Sequence, residues 1–189
     1  MSLHSDAVRV LEAWEPPDPA QDALRGRYLD HLVAHPDGLS RSCLPDHLTA
    51  STLVLSHDHR RVLLTLHAKA GRWFQLGGHC EPGDLTLAAA ALREATEESG
   101  LGGLRVDPVP VHLSEHAVPF CGVGGEVHHL DVRFVAVAGD GAQHAVSEES
   151  LDVAWWPADA LPNDELHELV GLALDRAGGQ STSSGGASM

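Results

Sequence analysis

Basic residues are scarce in this chain of 189 residues, and lysine is almost missing. The sequence holds 12 Lys and Arg against 27 Asp and Glu, a formal net charge of −15, and Lys69 is its only lysine. Because no basic run is available to neutralise a phosphate backbone, duplex nucleic acid is not expected as a partner. An acidic protein can still bind small phosphates when a divalent cation bridges the like charges. The charge is therefore compatible with metal-dependent phosphate chemistry, although acidity by itself commonly gives only solubility.

Cysteine and long apolar runs are also scarce. The three cysteines, Cys43, Cys80 and Cys121, are odd in number, and their spacing matches neither a disulfide framework nor a zinc motif. Reduced thiols, and with them a cytoplasmic location, are therefore expected. Residues 1–17 do not combine a basic segment with an apolar run, so no signal peptide is expected. No stretch approaches the roughly 18 consecutive apolar residues of a membrane span, so no membrane partner is expected.

The chain divides into three segments of different character. Residues 1–47 are expected to form a helical extension, in which a helix lies between the prolines at 16–19 and the turn at 36–38. Its apolar stripe is expected to pack on the main domain or on a second copy of the chain, which leaves a homodimer open. Residues 48–177 are predicted to form the catalytic domain. Residues 178–189 are rich in Gly and Ser and are predicted to be a disordered tail.

Periodicity and turn residues place the elements of the main domain. Two helices are predicted, over residues 85–99 and 164–176, and Gly100 ends the first of them. Strands are predicted for residues 49–55, 61–67, 73–76, 106–118, 130–138 and 153–156.

Three glutamates, Glu94, Glu97 and Glu98, stand near the C-terminal end of the helix predicted for residues 85–99. Residues three and four apart share a helix face, so the carboxylates are expected to point the same way. These carboxylates repel one another, and they lie at the negative end of the helix dipole. A solvated acidic face explains this position poorly. A hard divalent cation explains them better, because Mg²⁺ binds oxygen ligands and retains several waters.

A glycine-rich loop precedes this helix, and it begins at Gly77-Gly78 and ends at Asp84. Paired glycines permit close approach of the backbone to a ligand, so the loop can offer a carbonyl to a metal. Together, residues 77–101 resemble the Nudix box, G-x5-E-x7-R-E-U-x-E-E-x-G-U, in which U is apolar. The matching residues are Gly78, Arg93, Glu94, Glu97, Glu98, Gly100 and Leu101.

The resemblance implies a Nudix-type α/β/α sandwich, with a mixed curved sheet between the glutamate helix and the C-terminal helix. It also implies that the Gly78 carbonyl, Glu94 and Glu98 bind Mg²⁺, with Mn²⁺ as an alternative. Glu97 would bind a further metal or orient water, and Arg93 would hold the glutamates and the loop in register. The implied reaction is hydrolysis of a phosphoanhydride bond in a nucleoside diphosphate linked to another group, with these glutamates and Arg93 as catalytic residues.

Three assignments stay open. Asp84 stands where the family has Glu, and eight residues rather than seven separate it from Arg93, so it caps the helix or takes part in metal binding. Glu149 occupies a later loop, where family members often carry the general base, and its neighbour Glu148 is a rival. Lys69 and Arg72 precede the box. They are expected either to contact phosphate or to be solvated charges of a hairpin.

Two other functions belong to the same fold. A catalytically silent nucleotide-binding regulator would have lost the glutamates, and here Glu94, Glu97 and Glu98 are intact. A diphosphate isomerase would need a catalytic cysteine, and Cys80, inside the box loop, is a poor candidate.

Two histidine patterns are set aside. His112 to His116 matches the H-x-x-E-H zinc-peptidase motif, but the surrounding prolines and valines favour extended chain rather than the helix that this chemistry needs. His128 and His129 are neighbours on a predicted strand, where adjacent side chains point to opposite faces.

Overall fold

The computed structural model describes residues 2–118, 127–145 and 150–183. The elements follow in chain order as α1 (Leu3–Ala13), α2 (Pro19–Ala34), β1 (Asp46–Leu55), β2 (Arg61–His67), β3 (Arg72–Phe74), β4 (Leu76–His79), α3 (Leu87–Ser99), β5 (His112–Ala117), β6 (His128–Val137), β7 (Ser150–Pro157), a short 3-10 helix (Asp164–Leu166) and α4 (His167–Ser183). Within the described ranges, no helix is both long and apolar enough to cross a membrane.

Seven strands form one mixed sheet around β1. The strand order is β3-β2-β1-β6-β5, with β4 paired to β1 and β7 paired to β2. Strands β1 and β6 run parallel over ten residue pairs, and the other pairings are antiparallel. Along one edge, β1 pairs with β4 at Thr49–Thr52 and with β2 only at Val54 and Leu55. Because two different strands share this edge, the sheet curls there, which confirms the predicted mixed curved sheet.

The two faces of the sheet are covered by different helices. Side chains alternate across a strand, so residues of one parity in β1 share a face. Thr52 donates a hydrogen bond to the Ala91 carbonyl of α3 at 3.3 Å. On the opposite face, Leu53 and Leu55 pack with Leu169 of α4. The glutamate helix and the C-terminal helix therefore lie on opposite sides, as predicted.

The N-terminal extension contains two helices rather than one, and both pack against the domain. Helix α2 starts with Pro19 at its first position, where the missing N–H costs nothing, and Asp18 caps it. The buried Asp6 of α1 accepts a hydrogen bond at 2.9 Å from the backbone N–H of Leu87 at the start of α3. The extension thus stabilises the N-terminal end of the glutamate helix.

Several element boundaries differ from the predictions. Helix α3 begins at Leu87 rather than at residue 85, because Thr86 is its N-cap and accepts a hydrogen bond from Ala89 N–H. Only His112–Ala117 of the strand predicted for residues 106–118 is formed, since the preceding prolines have no N–H to donate. Helix α4 continues to Ser183, six residues into the segment predicted to be a disordered tail.

Candidate active site

Two glycines of β4 bring its backbone against the glutamates of α3. The Gly77 N–H donates a hydrogen bond to Glu98 Oε2 at 3.3 Å. A Cβ on Gly78 would lie 2.7 Å from Glu94 Oε2, and one on Gly77 would lie 2.3 Å from Ser51 Cβ. A side chain at Gly77 would collide with the β1 backbone, so this position needs glycine, whereas a side chain at Gly78 would displace the Glu94 carboxylate. The Gly77-Gly78 backbone and the carboxylates of Glu94 and Glu98 therefore meet at one place, as the sequence predicted.

Arg93 contacts most members of the carboxylate cluster, which we define as Asp84, Glu94, Glu97 and Glu98. Its Nη1 donates to Glu94 Oε1 at 2.9 Å and to Glu97 Oε2 at 3.0 Å. Its Nη2 donates to the His79 carbonyl of β4 at 2.9 Å. One planar guanidinium thus ties the end of β4 to two of the three helical glutamates.

Asp84 is the third partner of Arg93. Its two carboxylate oxygens accept hydrogen bonds from Nε and Nη2 of Arg93, both at 3.2 Å. Asp84 also accepts a hydrogen bond from the Glu81 N–H at 2.7 Å. Its side chain is only 8% exposed, which leaves it enclosed by these contacts. The helix-capping alternative for Asp84 is wrong, because Thr86 caps α3. The loop accommodates the extra residue before Arg93, and it folds back so that Asp84 contacts the guanidinium.

Among the described contacts, the cluster holds more carboxylates than cations. Arg93 pairs with Asp84, Glu94 and Glu97 and lies 3.9 Å from Glu81, while Glu98 adds a further negative charge at Gly77. Burial alone would lower the pKa of Arg93, but Asp84 and Glu94 outweigh burial and raise it. Glu94 is 14% exposed and Glu97 is 60% exposed, so the excess negative charge is partly shielded from water. The oxygen atoms and the net charge fit a hard divalent cation.

The predicted general base, Glu149, and its rival Glu148 lie outside the described residues. Ala145 is the last described residue before them, and its N–H donates a hydrogen bond to the Ser99 carbonyl at 2.7 Å. Ser99 directly follows Glu98 at the end of α3. The chain therefore passes the C-terminal end of the glutamate helix shortly before Glu148 and Glu149.

Lys69 and Arg72 lie in and next to the turn between β2 and β3. Both residues are exposed. Arg72 forms an ion pair with Glu165 at 3.0 Å, so its charge is already paired with the C-terminal part of the chain. Their predicted contact with phosphate stays a prediction.

Cys80 follows β4 and is buried. Burial raises the pKa of the Cys80 thiol to about 12, so the thiol is protonated at neutral pH. This state does not favour the diphosphate isomerase alternative, which needs a reactive cysteine.

A buried polar network lies next to the apolar contact with α4, on the same face of the sheet. Asp131 of β6 accepts hydrogen bonds from Thr49 at 3.1 Å and from Ser51 at 2.7 Å, both on β1. Arg133 and Gln75 also donate to Asp131, at 3.0 and 3.1 Å. Burial alone would raise the pKa of Asp131, but Arg133, His116 and the hydrogen bond from Ser51 together outweigh burial and lower it. The carboxylate is therefore ionised and held in place between two strands.

Three histidines lie on the same sheet face as this network, and sequence reasoning missed them. His47, His79 and His129 come from β1, β4 and β6, and their side-chain nitrogens lie within 4.8 Å of one another. Burial and then the neighbouring histidines lower the pKa of His129 to about 3, and burial lowers that of His47 as well. The residues are far apart in sequence, so only the strand register reveals the cluster.

Comparison with known proteins places this geometry in context. The model of the NUDIX domain matches residues 45–173. No curated protein matches the chain in sequence.

Solved structures resemble the domain without the N-terminal extension. A hydrolase of the NUDIX family from Clostridium perfringens is 24% identical with a TM-score of 0.55, and the match covers 69% of this chain and 97% of that chain. The dihydroneopterin triphosphate pyrophosphohydrolase of E. coli is 18% identical with a TM-score of 0.54, covering 68% and 95%. A C. elegans Ap4A hydrolase is 16% identical with a TM-score of 0.52, covering 71% and 98%. At these identities the likeness concerns the fold.

Proposed function

The chain belongs to the NUDIX domain family, and from this premise we propose that it is a metal-dependent pyrophosphohydrolase acting on a nucleoside diphosphate linked to another group. The observation that carries the proposal is the carboxylate cluster held by Arg93 against the Gly77-Gly78 backbone. A family member that had lost catalysis would have no need to keep four carboxylates around one guanidinium, since like charges in one place cost stability.

Divalent metal binding follows from the donor atoms. The Gly78 carbonyl and the carboxylates of Glu94 and Glu98 are hard oxygen ligands, which suit Mg²⁺ or Mn²⁺. Glu97, bound to Arg93 on its more exposed side, would hold a further ion or orient water. Bound there, the cation would offset the charge of the pyrophosphate oxygens and make water easier to deprotonate.

The protein residues would then divide the remaining tasks. Arg93 would keep Glu94, Glu97 and Asp84 at fixed positions and would not itself touch the substrate. Glu149, or Glu148, would accept the proton of the attacking water. The hydrogen bond between Ala145 and Ser99 supports this role, because it brings the chain to the end of α3 four residues before Glu149. Water oxygen would bond to phosphorus as the anhydride P–O bond breaks, and the departing fragment would leave as a phosphate.

The buried polar network around Gln75 supports a substrate that carries hydrogen-bond donors. The side-chain oxygen of Gln75 is buried with no hydrogen-bond partner among the described residues. A buried acceptor without a donor is costly, so a ligand with N–H or O–H groups would gain by binding there. The Ap4A and dihydroneopterin triphosphate enzymes with this fold act on molecules of that chemistry, which supports a phosphoanhydride joined to a polar group.

A substrate panel tests the proposal. Nucleoside triphosphates, ADP-ribose, dinucleotide cofactors and dinucleoside polyphosphates are each incubated with the protein and Mg²⁺, and the products are separated by chromatography. We expect at least one member to be cleaved at a phosphoanhydride bond by the wild type. Tight binding of panel members without cleavage of any would contradict the proposal and favour the silent regulator.

A further inference from the structure

The three histidines on the polar sheet face form a compact triangle. His47 and His129 are directly paired residues of the parallel strands β1 and β6, and His79 lies opposite Thr49 on the other side of β1. The ring centroids are 5.2 Å apart for His47 and His79 and 4.9 Å apart for the other two pairs. Three strands of one sheet therefore hold three imidazoles around a common centre.

The hydrogen bond of His47 defines which of its nitrogens is free to bind a metal. Nδ1 of His47 lies 3.1 Å from the Cys43 carbonyl, which can only accept, so Nδ1 carries the proton. Nε2 is then an unprotonated lone-pair donor. His47 is fully buried, and its Nε2 has no hydrogen-bond partner within the described part of the chain. The Nε2 of His129 is likewise buried and has no partner there.

This arrangement is the one that metal-binding histidines adopt. Such a residue donates its second ring N–H to a carbonyl or carboxylate, which fixes the ring and its tautomer. Neutral imidazole is also the form that binds metals, and the lowered pKa values of His47 and His129 favour it. The ligand atoms, all within 4.8 Å of one another, need only modest ring rotations to reach the separation of about 3.3 Å that tetrahedral Zn–N bonds of about 2.0 Å require.

We propose that His47, His79 and His129 bind a single zinc ion at a site separate from the carboxylate cluster. The two sites differ in chemistry, because imidazole nitrogen favours Zn²⁺ over Mg²⁺ and carboxylate oxygen favours Mg²⁺ or Mn²⁺. Zinc at three imidazoles keeps one coordination position for water or another ligand.

The zinc site connects to the carboxylate cluster through one residue. His79 directly follows Gly78, and its carbonyl accepts a hydrogen bond from Arg93 at 2.9 Å. Zinc bound to the His79 ring would tie β4 to β1 and β6 at the place where Gly77 and Gly78 meet the glutamates. The ion would therefore stabilise the loop that the proposed hydrolase site needs, without being a reactant in hydrolysis.

Zinc binding to protein freed of transition metals tests the site directly. Isothermal titration with Zn²⁺ is carried out in excess Mg²⁺, so that the oxygen ligands of the carboxylate cluster do not compete for zinc. We expect one equivalent of zinc to bind the wild type and to raise its melting temperature. Co²⁺ in place of zinc should give the strong visible absorption of a tetrahedral site rather than the weak bands of an octahedral oxygen site.

The neighbouring histidine supplies a matched control. His129→Ala removes a proposed ligand, while His128→Ala removes a ring that pairs with Asp46 instead. Zinc affinity should fall by more than about 100-fold in His129→Ala, beyond the loss typical of outer partners, and should be unchanged in His128→Ala. His79→Ala, on another strand, should lose zinc affinity to the same extent. This variant therefore replaces His129→Ala in the test if His129→Ala does not fold. No stoichiometric zinc binding by the wild type, or equal binding by His129→Ala and His128→Ala, would overturn the proposal whatever the outcome of the hydrolysis assays.

Discussion

At the scale of single residues, Arg93 determines the shape of the carboxylate cluster. Its five N–H groups form a planar fork, and it uses three nitrogens to contact Asp84, Glu94, Glu97 and the His79 carbonyl. A lysine has the same charge but a single nitrogen, so it reaches only part of this set.

Arg93→Lys should therefore destabilise the protein by about 1.5–3 kcal/mol, the cost typical of a lost hydrogen bond to a charged group. Turnover should fall as well, because the glutamates lose their common anchor. The measurement is urea unfolding together with hydrolysis of the best substrate. Arg60→Lys is the control, since Arg60 is exposed, and its change should stay within about 0.5 kcal/mol. Equal stability of the two variants would show that Arg93 has no anchoring role.

Asp84 and Glu149 differ in what they are expected to do. Asp84 binds Arg93 through both carboxylate oxygens, so Asp84→Asn should lower the unfolding free energy and lower turnover only through the displaced guanidinium. Glu149→Gln should leave stability unchanged and reduce turnover more strongly, with little change in substrate affinity, because it removes the proposed proton acceptor. Both variants are compared in kcat, KM and melting temperature. If Asp84→Asn loses more turnover than Glu149→Gln, the two roles are reversed.

Asp46 links stability to pH. Burial alone would raise its pKa, but hydrogen bonds from Arg27 and His128 outweigh burial and lower it. A carboxyl whose pKa is lower in the folded state stabilises the protein above its unfolded pKa of about 3.9 and loses this contribution as pH falls through the folded value. Asp46→Asn should therefore be less stable than wild type at pH 7, and the difference should shrink in urea unfolding at pH 3. The exposed Asp140→Asn should match wild type at both pH values, whereas a constant deficit of Asp46→Asn at both would contradict this linkage.

At the scale of elements, the N-terminal helices complete the sheet as well as the core. Strand β5 lies at the end of the main strand order, so one side of its backbone has no partner strand within the described ranges. Gln21 of α2 fills this gap, because its Nε2 donates to the Leu113 carbonyl at 3.0 Å and its Oε1 accepts from the Leu113 N–H at 2.7 Å. One buried side chain thus takes the place of a neighbouring strand.

Gln21→Ala should cost about 1–3 kcal/mol of unfolding free energy, because it leaves a buried N–H and a buried carbonyl without partners. Gln143→Ala, at an exposed position, is the control and should change stability by less than about 0.5 kcal/mol. Chemical denaturation of both variants gives the comparison. A loss for Gln21→Ala no larger than that of the control would mean that water replaces the side chain at this edge.

Local sequence patterns predicted some elements well and missed others for identifiable reasons. The strand predicted for residues 61–67 is confirmed as β2 at both ends, because its apolar run is bounded by a charged turn. Helix α1 was missed, although Ala7, Val10 and Leu11 carry the spacing of a buried helical face. The carboxylate cluster lies within one contiguous motif, so the sequence placed its members together. The histidine triangle depends on the pairing of three strands, which no local pattern contains.

At the scale of the whole molecule, the net charge of −15 reflects 27 acidic residues against 12 basic ones, and four of the acidic residues form the carboxylate cluster. On one face of the sheet, the apolar contact with α4 lies next to the polar network of Thr49, Ser51 and Asp131, while α3 lies on the other face. The proposed zinc site and the proposed magnesium site would use adjoining residues of β4, His79 and Gly78, and they differ in ligand type, which is imidazole nitrogen in the first and oxygen in the second. The family assignment, the mixed sheet and the placement of the glutamate helix agree with one another.

The most direct test of the central claim is turnover of the best substrate by metal-stripped protein, measured in excess chelator and again after Mg²⁺ is restored. The account predicts no hydrolysis in chelator, full recovery with Mg²⁺ or Mn²⁺, and a loss of orders of magnitude in Glu98→Gln at an unchanged melting temperature. Glu12→Gln, on the exposed side of α1, should behave as wild type. Full turnover in chelator, or near-normal turnover of Glu98→Gln with Mg²⁺, would contradict the account.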